Sequence, residues 1–151
     1  ATEEEFRATI EAFSSPQAFN ECDGTKAIHN GLYATQQPRK PFGMSYRTKI
    51  GNSTDGTNYG YKIHLIYNAL ASPASRSHST MSDQAEPSVF SWEISTLPPE
   101  LTGFKPTAHL IIDSRTTASG ILEEVEDLLY GTSESDPVLP APSAIVSIFA
   151  P

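Results

Sequence analysis

Two alternating runs on either side of a polar segment limit what this chain can fold into. In the first run, Phe42, Met44, Tyr46, Thr48 and Ile50 alternate with Gly43, Ser45, Arg47 and Lys49. In the second, Tyr61, Ile63, Leu65 and Tyr67 alternate with Lys62, His64, Ile66 and Asn68. A period of two sends successive side chains to opposite faces, which is the pattern of a half-buried strand. Residues 51–60 hold Asn52, Asp55, Gly56 and Asn58, types that accept positive φ or bond their own backbone and so favour a turn. Stretch 42–70 is therefore expected to form a long antiparallel hairpin with an extended polar tip, the spine of a β domain.

Other segments follow the same logic. Phe6, Ala8, Ile10 and Ala12 alternate with Arg7, Thr9 and Glu11, predicting a strand over 6–13. Ser15 and Pro16 then suit the cap and first position of a short helix stopped by Asp23 and Gly24. Residues 28–37 read as a short strand, ended by Pro38 and Pro41. Residues 71–88 are serine-rich and poor in apolar side chains, so they read as a mobile excursion or a partner-dependent arm.

Two further strands are expected around Phe90, Trp92 and Ile94, and around Ala108, Leu110 and Ile112. Ile111 on the opposite face suggests that this second face is partly covered. Between Thr117 and Tyr130, Ile121, Leu122, Val125, Leu128 and Leu129 form an apolar stripe at helical spacing, with Gly131 placed to end the helix. That stripe is expected to pack on the face carrying Phe90, Trp92 and Ile94. Residues 142–149 read as a last short helix or as an extended tail. From the residues alone the fold class is mainly β (α+β), one domain over 1–151 with an amphipathic helix packed on it.

The 151 residues carry a net charge of −8 and a pI near 4.9, and Arg39 with Lys40 is the only adjacent basic pair. Such a field repels phosphate backbones and anionic lipid. No apolar run approaches the roughly 20 residues that span a bilayer, and the polar opening ATEEEF predicts no signal peptide. Cys22 is the sole cysteine, which rules out an internal disulfide.

Candidate chemistry is sparse. His29, His64, His78 and His109 form no ligand pair by spacing, and Cys22 has no C-x-x-C partner, so no metal site is expected. His64 and His109 fall on strands, where ordinary polar positions are the plainer reading and a pair in space the alternative. No serine lies in a G-x-S-x-G elbow, and Ser91 and Ser95 sit within a strand, so no catalytic residue is assigned. Segment 51–60 looks like an oxygen-rich calcium loop but offers one carboxylate, Asp55, and no closing glutamate. Gly51, Gly56 and Gly60 lack the Lys and Ser/Thr of a phosphate loop, and no cofactor is expected.

The ordered series of segments says more than any one of them. EFRATIEAF with PQAFNECDG, then FGMSYRTKIGNSTDGTNYGYKIHLIYNALASP, FSWEISTLP, GFKPTAHLIIDS and LEEVEDLLYGT with PVLPAP, resembles the major tail (tail tube) proteins of long-tailed bacteriophages. The resemblance covers nearly the whole chain, in order and with similar spacing.

It implies an antiparallel β-sandwich or barrel with one helix at its side, and copies that assemble into hexameric rings stacked as a tail tube. The implied partners are further copies, other phage tail proteins, and DNA that passes without specific binding; the implied location is the virion, with no membrane. Family members carry additional sequence before the position matching Ala1, so an N-terminal segment of the full protein is expected to be missing here. Asn52, Asp55, Asn58 and Tyr59 at the hairpin tip are the expected assembly contacts. The competing reading is a β-sandwich binding module that recognises a glycan or protein through loops 51–60 and 71–88, with Tyr59, Tyr61 and Tyr67 as aromatic candidates.

Overall fold

The computed structural model describes residues 5–76 and 89–150. The fold is mainly antiparallel β with a minority of helix. Its strands are β1 (Ala8–Ala12), β2 (Lys26–His29), β3 (Leu32–Ala34), β4 (Phe42–Asn52), β5 (Gly56–Arg76), β6 (Phe90–Thr96) and β7 (His109–Asp113). Its helices are α1 (Asn20–Asp23), α2 (Ser119–Tyr130) and α3 (Pro142–Phe149). Among the described residues no helix is long and apolar enough to cross a membrane.

The chain divides into two compact units. The first takes in Gly43–Tyr67 and residues 98–150; the second takes in Glu5–Phe42 and the described part of Asn68–Leu97. Strand β5 is long enough to contribute to both.

In the first unit, β5 pairs with β4 and, antiparallel, with β7 in a register running from Lys62 opposite Asp113 to Ile66 opposite His109. This register sets Ile63 beside Ile112 and Leu65 beside Leu110 on one face. Helix α2 leaves β7 after a five-residue connection, 114–118, and folds back over that face. Val125 and Leu129 therefore close a core with Ile63, Leu65, Tyr67, Ile112 and Ile145 of α3. Phe90, Trp92 and Ile94, the expected partners of the α2 stripe, belong to the second unit. The short β7–α2 connection accounts for the difference.

Helix α2 ends at Gly131, whose φ of 78° suits glycine, and the Leu128 carbonyl accepts the Val138 N–H at 2.8 Å. Residues 142–149, read from sequence as helix or tail, are the helix α3 with Pro142 in its first turn. Strand β4 is half-buried at Phe42, Met44 and Ile50 and exposed at Gly43, Ser45, Arg47 and Lys49, yet its polar side looks toward the helices: Gly43 leaves room for the Leu139 side chain, which a Cβ there would strike.

In the second unit, β6 pairs with β1 from Ala8 opposite Ile94 to Ala12 opposite Phe90. On its other side β6 pairs with residues 69–76 of β5, with an irregularity between Pro73 and Ser75 where proline lacks a ladder donor. Residues 71–76 are thus strand, not the expected excursion; 77–88 lie outside the described residues. Phe19 sits edge-on to Phe42 at 5.3 Å and to Trp92 at 5.4 Å, so the short helical segment that carries it closes one side of this core. That segment begins at Pro16 with no side-chain cap, so Ser15 does not take the capping role assigned to it. Its end at Gly24, φ 84°, follows the expectation. Thr96 is buried, and its hydroxyl accepts the Phe6 N–H at 3.0 Å and donates to the Phe6 carbonyl at 3.2 Å. The single strand expected over 28–37 is instead a hairpin, β2 with β3, turning at Asn30 and Gly31, with Gly31 at φ 85°.

Two outcomes test this core. Leu129→Ala is expected to cost about 2–5 kcal/mol in urea unfolding, because it empties a buried position. Leu128→Ala, at a half-buried neighbour, should cost clearly less; equal losses would contradict the packing. The Tyr67 hydroxyl donates to the Pro140 carbonyl at 2.6 Å, and burial pushes its pKa up to about 12. Below its ordinary pKa of 10.0 that phenol is protonated in both states and contributes fully. As pH rises from there toward about 12, the unfolded chain ionises first and stability falls, by up to roughly 2–3 kcal/mol. Tyr67→Phe should flatten that alkaline loss in melts recorded at stepped pH.

Candidate functional site

The residues that sequence reasoning singled out converge on the first unit, around β4, β5 and β7. The tip is tighter than expected: β4 runs to Asn52 and β5 starts at Gly56, leaving three turn residues in place of a ten-residue loop. Asn52 explains the economy. Its Oδ1 accepts the backbone N–H of Thr54, at 3.0 Å, and that of Asp55, and its Nδ2 donates to Asp55 Oδ2 at 3.3 Å. The Asp55 carbonyl accepts the Asn58 N–H at 3.1 Å. Asn52 and Asp55 are thus committed to holding the turn.

Asn58 and Tyr59 stand in β5 instead, where they line a cleft of about 440 Å³ with Arg47, Lys49, Tyr61 and Ser114. At its margin the Arg115 guanidinium lies 5.4 Å from the Tyr59 ring centre and grips Asp113 at 2.8 and 3.1 Å. Hydrogen bonds from the Arg115 side chain and backbone hold the Asp113 carboxyl down at about 2. The structure therefore splits the four tip residues into two pairs with different work.

On the helix side, Arg47 lies 4.0 Å above the Tyr61 ring and 5.4 Å from the Tyr130 ring, and donates to Glu126 at 2.9 Å. The Tyr61 hydroxyl donates to the same carboxylate oxygen; burial and this bond raise its pKa. This cluster ties β4 to α2 and spends its charges internally.

The face turned away from α2 and α3 carries a hydrogen-bonded chain. His64 and His109 come from paired strands but not from directly opposed positions: His64 faces Ile111 and His109 faces Ile66. This diagonal puts both rings on one face. His64 Nδ1 lies 2.9 Å from His109 Nε2, and His64 Nε2 lies 2.8 Å from Thr48 Oγ1. Tyr46 stacks on His64 at 4.5 Å with ring planes 4° apart.

Burial lowers both imidazole pKa values, with Lys62 adding to the effect at His64 and His64 adding to it at His109. A hydrogen bond between the facing nitrogens needs one of them unprotonated, and the lowered pKa values run in that direction. The two residues are 45 positions apart, so no spacing rule brings them together. The sequence signal was their shared placement on strands. The second face is partly covered, as expected from Ile111: Ile66 on it is fully buried and His64 and His109 are half-buried, while Ile111 itself is 51% exposed.

Among the described residues no three His, Cys, Asp or Glu side chains cluster as a metal-binding group. Comparison with protein-family models, with curated proteins and with solved structures returned no match.

If Asn52 holds the turn, Asn52→Ala should lower stability by about 1 kcal/mol in urea unfolding while the far-ultraviolet spectrum stays unchanged. A loss near zero would mean that strand pairing alone closes the hairpin.

Proposed function

We propose that this chain is a structural subunit that assembles with copies of itself, a tail tube protein of a long-tailed bacteriophage. On this reading the β-rich fold is a sandwich or barrel with a helix at its side. Copies form stacked, hexameric rings in the virion, alongside other tail proteins. DNA passes through them without specific binding, in keeping with a net charge of −8.

The resemblance of the ordered segments supplies the family. The observation that carries self-assembly is the β2–β3 hairpin. It forms a two-stranded sheet of its own, and Ile28, Leu32 and Tyr33 on it are 56%, 53% and 45% exposed. Two-stranded ribbons are marginal in water, and grouped exposed apolar side chains mark surfaces that another chain covers. A second copy is the natural occupant for a protein built to stack. In the same reading the tip cleft beside Asn58 and Tyr59 meets a neighbouring ring, and Asn52 and Asp55 shape the turn that presents it.

One feature favours the binding-module alternative. In the second unit a hollow of about 270 Å³ gathers Tyr33, Phe90 and Trp92 with Asn20, Asp23 and Thr35. Aromatic rings beside amide and carboxylate groups suit a sugar.

Negative-stain microscopy of concentrated protein separates the readings. Rings or tubes are expected from the wild type, and Ile28→Lys combined with Leu32→Lys should abolish them with the melting temperature little changed. Monomers at every concentration, together with glycan binding lost in Tyr33→Ala, would replace the tube reading with the module.

A further inference from the structure

We propose that Asn30 is a site of self-modification: its side chain cyclises onto the Gly31 nitrogen and hydrolyses to aspartate and isoaspartate at the turn of the β2–β3 hairpin. The chemistry stands apart from the tube reading, and only its consequence for assembly rests on that reading.

The chain has five asparagines, and the structure restrains four of them. Cyclisation needs the backbone nitrogen of the next residue to approach the asparagine Cγ. A nitrogen fixed in a helix or ladder, or crowded by its own side chain, is badly placed for that. Asn20 opens α1, and Glu21 follows it within the helix. Asn52 Oδ1 is held by the N–H groups of Thr54 and Asp55. Asn58 and Asn68 lie in β5. The bulky Tyr59 follows the first, and Ala69, fully buried and paired with Thr96, follows the second.

Asn30 has none of these restraints. It is exposed, and its side chain hydrogen-bonds to none of the described residues. Gly31, at φ 85°, brings no Cβ beside the attacking nitrogen, and a Cβ placed there would meet nothing within 4 Å, so the turn is open on that side. Among the described residues the β2–β3 sheet has no third strand. A two-stranded ribbon is marginal in water and opens locally, which lets the Asn30 side chain turn back on the Gly31 nitrogen.

The Gly31 N–H gives its proton to solvent base, and the nitrogen bonds to Asn30 Cγ, closing a succinimide ring. The bond from Cγ to Nδ2 breaks, and Nδ2 leaves as ammonia. Water then opens the ring at Cγ, giving aspartate, or at the main-chain carbonyl, giving isoaspartate. One water is consumed and one ammonia released, with no change of oxidation state. Either product adds a carboxylate, ionised at neutral pH, to the hairpin that exposes Ile28, Leu32 and Tyr33. Isoaspartate also lengthens the main chain by a methylene where β2 and β3 turn, which disturbs their register. Under the proposed assembly, both changes weaken the contact made by this hairpin.

The test holds the folded chain at neutral and at mildly alkaline pH and follows it by tryptic mapping with mass spectrometry. Peptide 27–39 should gain the mass difference between an oxygen and an NH group, faster at the higher pH, with isoaspartate located at position 30 by electron-transfer fragmentation. Its conversion should run severalfold ahead of peptides 8–26, 50–62 and 63–76, which carry the other asparagines. Asn30→Gln, whose longer side chain disfavours the ring, should leave peptide 27–39 unchanged over the same period. The proposal fails if peptide 27–39 of the folded chain converts no faster than the others, or if the Asn30→Gln peptide gains mass as quickly. For assembly, aged protein is separated into pelleted tubes and free chain, and isoaspartate should be enriched in the free chain. Equal amounts in both fractions would overturn the consequence for assembly, whereas a lack of tubes from fresh protein counts against the tube reading alone.

Discussion

The register of β5 against β7 is the constraint on which the first unit depends. It places Ile63 and Leu65 beside Ile112 and Leu110, and that face is the one on which α2 and α3 pack. Ile63, Leu65 and Val125 are fully buried, and complete burial of such a side chain contributes about 1.5–3 kcal/mol each. A one-residue slip would turn this set to solvent and bring Lys62, His64 and Ile66 under the helix. The exposed ion pairs, such as Arg7 with Glu5 and Lys40 with Glu21, contribute at most about 1 kcal/mol apiece and cannot set the register. Apolar burial therefore decides the fold, and polar contacts refine it.

Arg47 shows how that refinement works. It projects from the face of β4 that amphipathic patterning assigns to solvent, yet it faces α2. Its guanidinium covers the Tyr61 ring and meets Glu126, so its flat, weakly hydrated surface substitutes for an apolar contact. With Gly43 opening space for Leu139 on the same side, β4 turns this side toward the helices while its residues stay largely exposed. Its apolar side, with Met44, Tyr46 and Ile50, joins His64, His109 and Ile111 on the other face of the strands.

What was legible in the sequence follows from range. The alternation of β4 to β7 and the stripe of α2 depend on neighbours within a few residues, and they appear where expected, with Gly131 ending the helix. Turn length was not legible. Composition marked 51–60 as polar, but Asn52 closes the chain in three residues and pairing draws Asn58 and Tyr59 into β5. Asn30 and Gly31 are a two-residue hairpin signal within the run 28–37, and β2 and β3 pair across them. The side of β4 that turns toward the helices depends on Tyr61, Glu126 and Leu139, all distant in sequence. The His64–His109 contact is likewise a product of register, and no linear spacing encodes it.

The distribution of open surface gives the architecture its functional direction. Along the spine Arg47 is paired with Glu126 and Asp113 with Arg115, and these charges are committed to one another. Among the described residues several large apolar side chains are also exposed along strands: Ile28, Leu32 and Tyr33 on the small hairpin, Tyr46 and Ile111 on the strands of the first unit. Among the described strands β4 is an eleven-residue edge, and the exposed Lys49 on it opposes indiscriminate pairing. Apolar faces bounded by charged edges favour broad, repeated contacts over a single pocket. Under the proposed assembly, such contacts are the demand placed on a subunit whose neighbours are copies of itself.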